Sequence, residues 1–375
     1  MTSKERMIIA MSNGIPDRVP ACPDMSNMIP ARLTGKPFWD IYMHNDPPLW
    51  RAYIDALKYF GTDGWFIYGA LSYTTNSKIE LKSNETRMVD DRYITDIVYS
   101  TPAGDLEYEY TYYRADPPTV SKKPIKDIAA EFDKIRYFYN DITEYDTAGF
   151  EQQRAELGDL GAIGLGGGYP GFQQWFGYVN GIDDLAYAYY DHPDIIEEWR
   201  VLEDAQCTRY IELQLEAKPD FIMLGGSGSI TLQSPELFRK LSLPTIKKQT
   251  RMAKEAGIPS ILHSCGKERA LVEMVANETD LSCVNPLEIP PMGDCDLAEI
   301  KQSFGHKIAL MGNLHTTELM LKGSVDEVEK AAIKCIEDAG KGGGFILSTG
   351  DQCGRDTPDA NMFKLVEVCE KYGKY

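Results

Sequence analysis

Short apolar runs, each followed by a turn-forming stretch and then by a helical pattern, recur along the whole chain. They predict eight strands, near Val19–Cys22, Gly64–Tyr68, Ala162–Leu165, Phe221–Leu224, Ser260–His263, Leu281–Val284, Lys307–Met311 and Gly344–Leu347. Helix signals fill the intervals; Ser234, for example, suits the N-cap of a helix whose first position is Pro235. Strands that alternate with helices form parallel βαβ units, so the pattern predicts an α/β fold, a closed (β/α)8 TIM barrel of ~250 residues before insertions.

Two insertions account for the excess of this chain of 375 residues over a simple barrel. Residues 23–60, after the first strand, are rich in aromatic residues and proline. Residues 72–125, after the second strand, alternate in polarity around a Pro-Ala-Gly turn, which predicts a β-hairpin. No linker or low-complexity stretch divides the chain, so we predict a single barrel domain over residues 1–375 that carries both insertions.

The net charge of −18 argues against nucleic-acid binding, because phosphate contacts require clustered Lys and Arg. No apolar run approaches the ~18 residues of a membrane span, and the first residues lack the apolar core of a signal peptide. We therefore expect a cytoplasmic protein with no membrane partner. Its eight cysteines should be thiols in that compartment.

A histidine and a cysteine, His263 and Cys265, lie where the fifth predicted strand ends. Glu288 follows the sixth strand, and Cys353 follows the eighth. The strand ends of a (β/α)8 barrel meet at one rim, so residues far apart in the sequence come together there. One imidazole, two thiols and a carboxylate suit zinc, and we predict a zinc site. The alternative is a hydrogen-bonded histidine beside an inert thiol, with Glu288 as a solvated carboxylate.

Other polar residues fall at the same predicted rim. Asn313 and Asp351 are candidates to orient a ligand, and His315 is a candidate proton donor to a leaving oxygen. Asp24 and Asn27, after the first strand, are candidate substrate contacts. Taken singly, Asn313, Asp351, Asp24 and Asn27 are more typical of turn or cap residues, and His315 is more typical of a surface loop.

Four stretches carry a resemblance to a known family: SPELFRKLSLPTIKKQ, ILHSCGK, ALMGNLHTTELMLKGSVDEVEKAA and GFILSTGDQCGRDTPDAN. Together they resemble the uroporphyrinogen decarboxylase-like superfamily, and within it the corrinoid-dependent methyltransferases. The resemblance implies a (β/α)8 barrel and a zinc ion held by His263, Cys265 and Cys353. Glu288 lies at a spacing similar to that of the glutamate ligand in the cobalamin-independent methionine synthases.

The chain departs from the decarboxylase pattern at two places. True decarboxylases carry an arginine-rich motif after the first strand, whereas Arg32 is the only arginine of the stretch CPDMSNMIPARLTGK. They also have an aspartate at the end of the second strand, where this chain has Gly69 and Ala70. A polyanionic porphyrinogen would find few cationic partners on this acidic protein. These departures disfavour decarboxylation.

Two kinds of methyl transfer suit a zinc ion with an exchangeable position. In one, zinc activates a substrate thiol that accepts a methyl group from a methylated corrinoid (cobalamin). In the other, the cob(I)alamin of a corrinoid partner protein takes the methyl group of an ether, while zinc stabilises the departing oxygen. The stretch NMIPARLTGKPFWDIYMHNDPPLW is similar to the vanillate-type O-demethylase methyltransferases of anaerobic acetogens. We therefore predict O-demethylation of a methoxylated aromatic compound.

A pocket lined by aromatic side chains would suit a methoxylated ring. With Asn27, the candidate substrate-binding residues are Trp39, Tyr42, Tyr68, Tyr169 and Trp175. The alternative for each aromatic residue is packing within the insertions. Two other functions stay open: methylcorrinoid:thiol (coenzyme M-type) methyl transfer, and a uroporphyrinogen decarboxylase-like lyase.

Overall fold

A computed structural model describes residues 1–375 of the chain. The strands are β1 Gly64–Gly69, β2 Ser72–Thr75, β3 Glu80–Val89, β4 Arg92–Thr101, β5 Gly104–Tyr113, β6 Thr119–Lys122, β7 Ile142–Asp146, β8 Gly161–Gly166, β9 Phe221–Gly225, β10 Ser260–His263, β11 Cys283–Asn285, β12 Ala309–Leu314 and β13 Phe345–Thr349. The α-helices are α1 Ser3–Met11, α2 Met28–Leu33, α3 Phe38–Tyr42, α4 Leu49–Phe60, α5 Ile128–Ile135, α6 Ala148–Leu157, α7 Phe172–Phe176, α8 Ile182–Asp191, α9 Pro193–Glu216, α10 Pro235–Leu241, α11 Leu243–Glu255, α12 Arg269–Glu278, α13 Leu297–Phe304, α14 Val325–Ala339 and α15 Asp359–Tyr372.

Seven strands form one parallel sheet, in the order β1-β8-β9-β10-β11-β12-β13. The sheet curls until its last and first strands flank the same segment of chain. Leu347 of β13 donates a backbone hydrogen bond to Pro20, and Cys22 donates one to Leu347. On the other side of this segment, the Asp63 amide donates to the carbonyl of Ala21 at 2.8 Å. The predicted α/β fold of the TIM-barrel type is confirmed.

The segment Val19–Cys22 fills the eighth position of the barrel, but the regular strand predicted there is wrong. A single bridge links Ala21 to Leu347. Pro20 has no N–H group to donate to a ladder, which interrupts the pairing. The amide of Ala21 donates instead to the side-chain carboxylate of Asp63, at 2.9 Å.

The core explains why one end of the barrel is closed. Alternate residues of a strand face opposite sides of a sheet. Trp65 therefore faces the barrel interior, where it clusters with Met7 and Met11 of α1, while Phe66 faces the layer of outer helices. Because α1 packs against β1, β8, β12 and β13, it covers the amino-terminal ends of the strands. The carboxyl-terminal end is left for functional groups.

The insertion at residues 72–125 contains more than the predicted hairpin. Strands β3 to β6 make a four-stranded antiparallel sheet, and β2 pairs with β7 outside it. Side chains from this sheet and from α5, α7, α8 and α9 form a second hydrophobic cluster that includes Trp175 and Trp199. The insertion at residues 23–60 contains α2, α3 and α4, and α3 packs against β5. No helix has both the length and the apolar composition needed to cross a bilayer.

Candidate functional site

A cavity of about 970 Å³ opens at the carboxyl-terminal end of the barrel, and we call it the rim cavity. One wall comes from the loops after β9, β10, β11 and β13. The other comes from the end of the four-stranded sheet and from α7. The residues that line it include Lys123, Tyr169, Phe176, Ser227, Cys265, Glu288, Met292 and Asp351. Enzymes with this fold carry their active sites at this end.

His263 is the last residue of β10, and Cys265 lies two residues beyond it. His263 is buried, with its Nε2 3.7 Å from the Asp351 carboxylate, and its Nδ1 has no hydrogen-bond partner within the protein. Cys265 lines the rim cavity, and Ser227 lies in the same lining. Burial raises the pKa of the Cys265 thiol to about 11, and the charge of Asp351 contributes to the rise.

Glu288, three residues beyond β11, lines the rim cavity, where its carboxylate accepts a hydrogen bond from the Gly266 amide. Burial raises the pKa of Glu288. The wholly buried Glu268 accepts hydrogen bonds from the amides of Leu287 and Glu288, the latter at 3.1 Å. Leu287 has a φ of 63°, which few residues other than glycine adopt. Glu268, which the sequence prediction missed, thus holds the strained backbone that presents Glu288.

Cys353 is wholly buried, four residues beyond β13. Its amide donates to the carbonyl of Asp24 at 2.8 Å, and the Asp24 amide in turn donates to the Thr349 hydroxyl at 3.0 Å. Burial raises the pKa of the Cys353 thiol to about 12. Burial also raises the pKa of Asp24, while the neighbouring His263 acts to lower it. Asp24 therefore lies at the same site as Cys353 and His263.

The side chains at this end have the chemistry of a zinc site, because zinc binds imidazole, thiolate and carboxylate groups. The unpartnered Nδ1 of His263 also fits such a site, since buried polar atoms normally have a partner. No three His, Cys, Asp or Glu side chains, however, lie close enough together in this structure to hold a metal ion. Zinc at His263, Cys265, Cys353 and Glu288 therefore stays a prediction.

The other polar candidates have distinct surroundings. Asp351 lines the rim cavity, as an orienting role requires. Asn313 is buried, and its Nδ2 donates to the carbonyl of Leu287 at 3.1 Å, so it supports the loop after β11. His315 caps the helical turn Thr316–Leu321, because its Nδ1 accepts two backbone N–H groups of that turn. The proton-donor role of His315 stays a prediction.

Of the predicted substrate-binding residues, Tyr169 alone lines the rim cavity. Trp175 is wholly buried and stacks on Trp199, with ring centroids 4.5 Å apart, so packing rather than substrate contact is its role in this structure. Trp39 packs edge-on against Tyr93 of the four-stranded sheet. The other three predicted substrate-binding residues are Asn27, Tyr42 and Tyr68. In each of them a buried side-chain oxygen has no hydrogen-bond partner within the protein.

A buried acid on α9, Glu203, supports the glycine-rich turn that carries Tyr169. Its Oε2 accepts a hydrogen bond from the Gly171 amide at 2.7 Å. Gly171 has a φ of 87°, which favours glycine at this position. Burial raises the pKa of Glu203 to about 8, with a small contribution from Asp204. A protonated carboxyl group therefore holds this turn at neutral pH.

We expect Glu203 to make the free energy of unfolding fall as the pH rises from about 4.5 to about 8. In that range the unfolded chain has lost the Glu203 proton while the folded protein keeps it, and the slope is at most about 1.4 kcal/mol per pH unit. Glu203→Gln keeps an acceptor for the Gly171 amide but cannot ionise. Urea unfolding of both proteins at pH 5.5 and 7.5 tests this expectation. An identical pH dependence in the wild type and the variant would contradict it.

The fold and the rim cavity together define a protein of the (β/α)8 type whose candidate functional residues lie on the loops after the strands. The chain belongs to the uroporphyrinogen decarboxylase (URO-D) family, whose model matches residues 96–372. The resemblance found in the sequence is thereby confirmed at the level of the family. A solved methyltransferase from Methanosarcina mazei superposes with a TM-score of 0.63 over 99% of both chains, at 17% identity, which supports the same fold.

Curated relatives include two kinds of methyltransferase and a decarboxylase. The methylcobamide:CoM methyltransferase MtbA of Methanosarcina mazei is 30% identical over 166 residues, which is 44% of this chain and 45% of the relative. The methylated-thiol–coenzyme M methyltransferase of the same organism is 28% identical over 145 residues, 39% of this chain and 36% of the relative. The uroporphyrinogen decarboxylase of Coxiella burnetii is 22% identical over 191 residues, 49% of each chain. This chain thus spans less than half the length of each of these relatives.

Proposed function

We propose that this protein is a corrinoid-dependent methyltransferase that transfers a methyl group between a corrinoid protein and a small thiol. The rim cavity carries the proposal, because Cys265, Glu288 and Asp351 line a space of about 970 Å³, which is within the size range of small-molecule sites. The similarity to the methylcobamide:CoM and methylated-thiol methyltransferases supports a thiol as one reactant.

The residues of the rim suggest how the reaction proceeds. Zinc bound by His263, Cys265 and Cys353, with Glu288 as a possible fourth ligand, would lower the pKa of the substrate thiol. Asp351, on the same wall, accepts the proton that the thiol loses. The sulfur would then attack the methyl carbon of the methylated corrinoid, and the corrinoid would keep the electron pair of the cobalt–carbon bond that breaks.

Two other functions receive less support. The methoxylated aromatic donor predicted from the sequence calls for an aromatic pocket, but Tyr169 alone of the predicted aromatic residues lines the cavity. A porphyrinogen decarboxylase must hold many carboxylates, whereas Lys123 is the only cationic residue of a lining that also contains Glu288 and Asp351.

The absorbance spectrum of cobalamin tests the proposal. With added zinc and 2-mercaptoethanesulfonate, the protein is expected to convert methylcobalamin to cob(I)alamin at a rate at least about tenfold above the protein-free reaction. In a second reaction, cob(I)alamin is mixed with vanillate. Formation of methylcobalamin from vanillate, with no thiol-dependent conversion, would replace the proposal with O-demethylation. Release of carbon dioxide from uroporphyrinogen, with both cobalamin reactions silent, would replace it with decarboxylation.

A further inference from the structure

Lys123 stands out among the residues that line the rim cavity, because it is the only cation there. It follows directly after β6, at the end of the four-stranded sheet. Its Nζ lies 3.2 Å from the ring centroid of Phe176 and donates to the backbone oxygen of the same residue. Both contacts hold the ammonium group at the cavity wall.

No carboxylate pairs with Lys123, unlike the other lysines of the same sheet. Lys122, its neighbour in the sequence, forms an ion pair with Glu107, and Lys82 forms one with Asp105. An ammonium group has three N–H donors, and the single contact to Phe176 leaves the others available. Burial lowers the pKa of Lys123, which is the expected consequence of a partly desolvated charge without a counter-ion.

The charges of the cavity therefore differ between its two walls. Glu288 and Asp351 lie on the wall formed by the barrel loops, beside Cys265, whereas Lys123 lies on the wall formed by the insertion and α7. A small substrate with an anionic group at one end is repelled by the first wall and attracted by the second. This orientation directs its other end towards Cys265.

We propose that Lys123 anchors a carboxylate or sulfonate group of the small substrate, so that the reactive end of the substrate meets the barrel loops. The inference rests on the proposed function for the chemistry at the reactive end. The anchoring itself requires only the charge and position of Lys123. The same anion could belong to an acidic thiol or to a methoxybenzoate, and the two sources are distinguished by experiment.

Equilibrium binding of matched probes tests the anchor without any turnover. Isothermal titration calorimetry compares 2-mercaptoethanesulfonate with the neutral 2-mercaptoethanol, and vanillate with guaiacol, which lacks the carboxylate. In at least one pair, the wild-type protein is expected to bind the anion about tenfold more tightly than its neutral counterpart, the usual effect of one charge-assisted hydrogen bond. If the anion is preferred within the thiol pair, the anchored substrate is an acidic thiol. If the anion is preferred within the aromatic pair, the anchored substrate is a methoxybenzoate.

Three variants show whether Lys123 is responsible. Lys123→Met should abolish the preference for the anion and leave binding of the neutral probe unchanged. Lys123→Arg should retain most of the preference for the anion, because arginine keeps the positive charge. Lys122→Met is the matched control and should behave as the wild type, because Lys122 lies outside the cavity lining. Equal affinity for the charged and neutral probes, or an equal loss for both in Lys123→Met, would overturn the inference.

Failure of the anchor and failure of the proposed function give different results. If methyl transfer to both thiols has the same KM, and vanillate binds no more tightly than guaiacol, the anchor is wrong and the proposed function stands. If the anion is preferred and Lys123→Met removes the preference, but no methyl group moves, the anchor stands and the proposed function is wrong.

Discussion

Cys353→Ala is expected to lower the zinc content of the purified protein from about one ion per chain to near zero and to abolish methyl transfer. Zinc sites of this kind depend on thiolate ligands, and a catalytic site has only three protein ligands besides its exchangeable position. Loss of one of two thiolates therefore removes a large part of the binding free energy. Elemental analysis of the protein and the methylcobalamin assay provide the two measurements.

Cys283→Ala is the matched control for this prediction. Cys283 is a second wholly buried cysteine, and it lies in the barrel interior with Met7 and Met11 rather than at the rim. The Cys283→Ala substitution removes the same sulfur atom from a buried position. It therefore measures the effect of the cavity that the lost sulfur leaves in the core. Full zinc retention by Cys353→Ala would exclude Cys353 as a ligand. An equal loss of zinc in both variants would attribute the loss to the fold.

The position of the site was predictable because it follows from the order of the strands. Once the apolar runs are recognised as parallel strands, the residues after them must meet at one rim. His263, Cys265, Glu288 and Cys353 lie at that end of the barrel, as predicted. The distances among these side chains were not predictable, because they depend on rotamers and on the loop backbone. In this structure they leave no group of three metal ligands.

The surroundings of the site were not predictable, because they depend on contacts between residues that are far apart in the sequence. Trp175 has the sequence context of a loop aromatic residue, and only the packing of α9 brings Trp199 against it. Lys123 reaches the rim cavity because the insertion folds back over the barrel, which alternation of polarity within the insertion does not indicate. The regular strand predicted at Val19–Cys22 was a different kind of error, because the sequence itself shows that Pro20 has no N–H group to donate.

Glu268→Leu is expected to destabilise the protein and to lower methyl transfer by at least about tenfold, although Glu268 itself does not line the rim cavity. The substitution leaves the buried amides of Leu287 and Glu288 without an acceptor, and each lost partner costs about 1–3 kcal/mol. With Leu287 in a left-handed conformation, the loop is free to relax to an unstrained one. Glu288 then no longer has a fixed position in the cavity.

Glu268→Gln separates this positioning role from a simple effect of packing. Burial raises the pKa of Glu268, and a neutral amide of the same shape keeps an oxygen that accepts the same two N–H groups. Glu268→Gln should therefore restore most of the activity and of the urea midpoint that Glu268→Leu loses. Asn313 donates a hydrogen bond to the carbonyl of Leu287, so Asn313→Leu should reproduce part of the defect. If Glu268→Leu unfolds at lower urea but keeps its full activity and KM when folded, the buried acid stabilises the barrel without positioning Glu288.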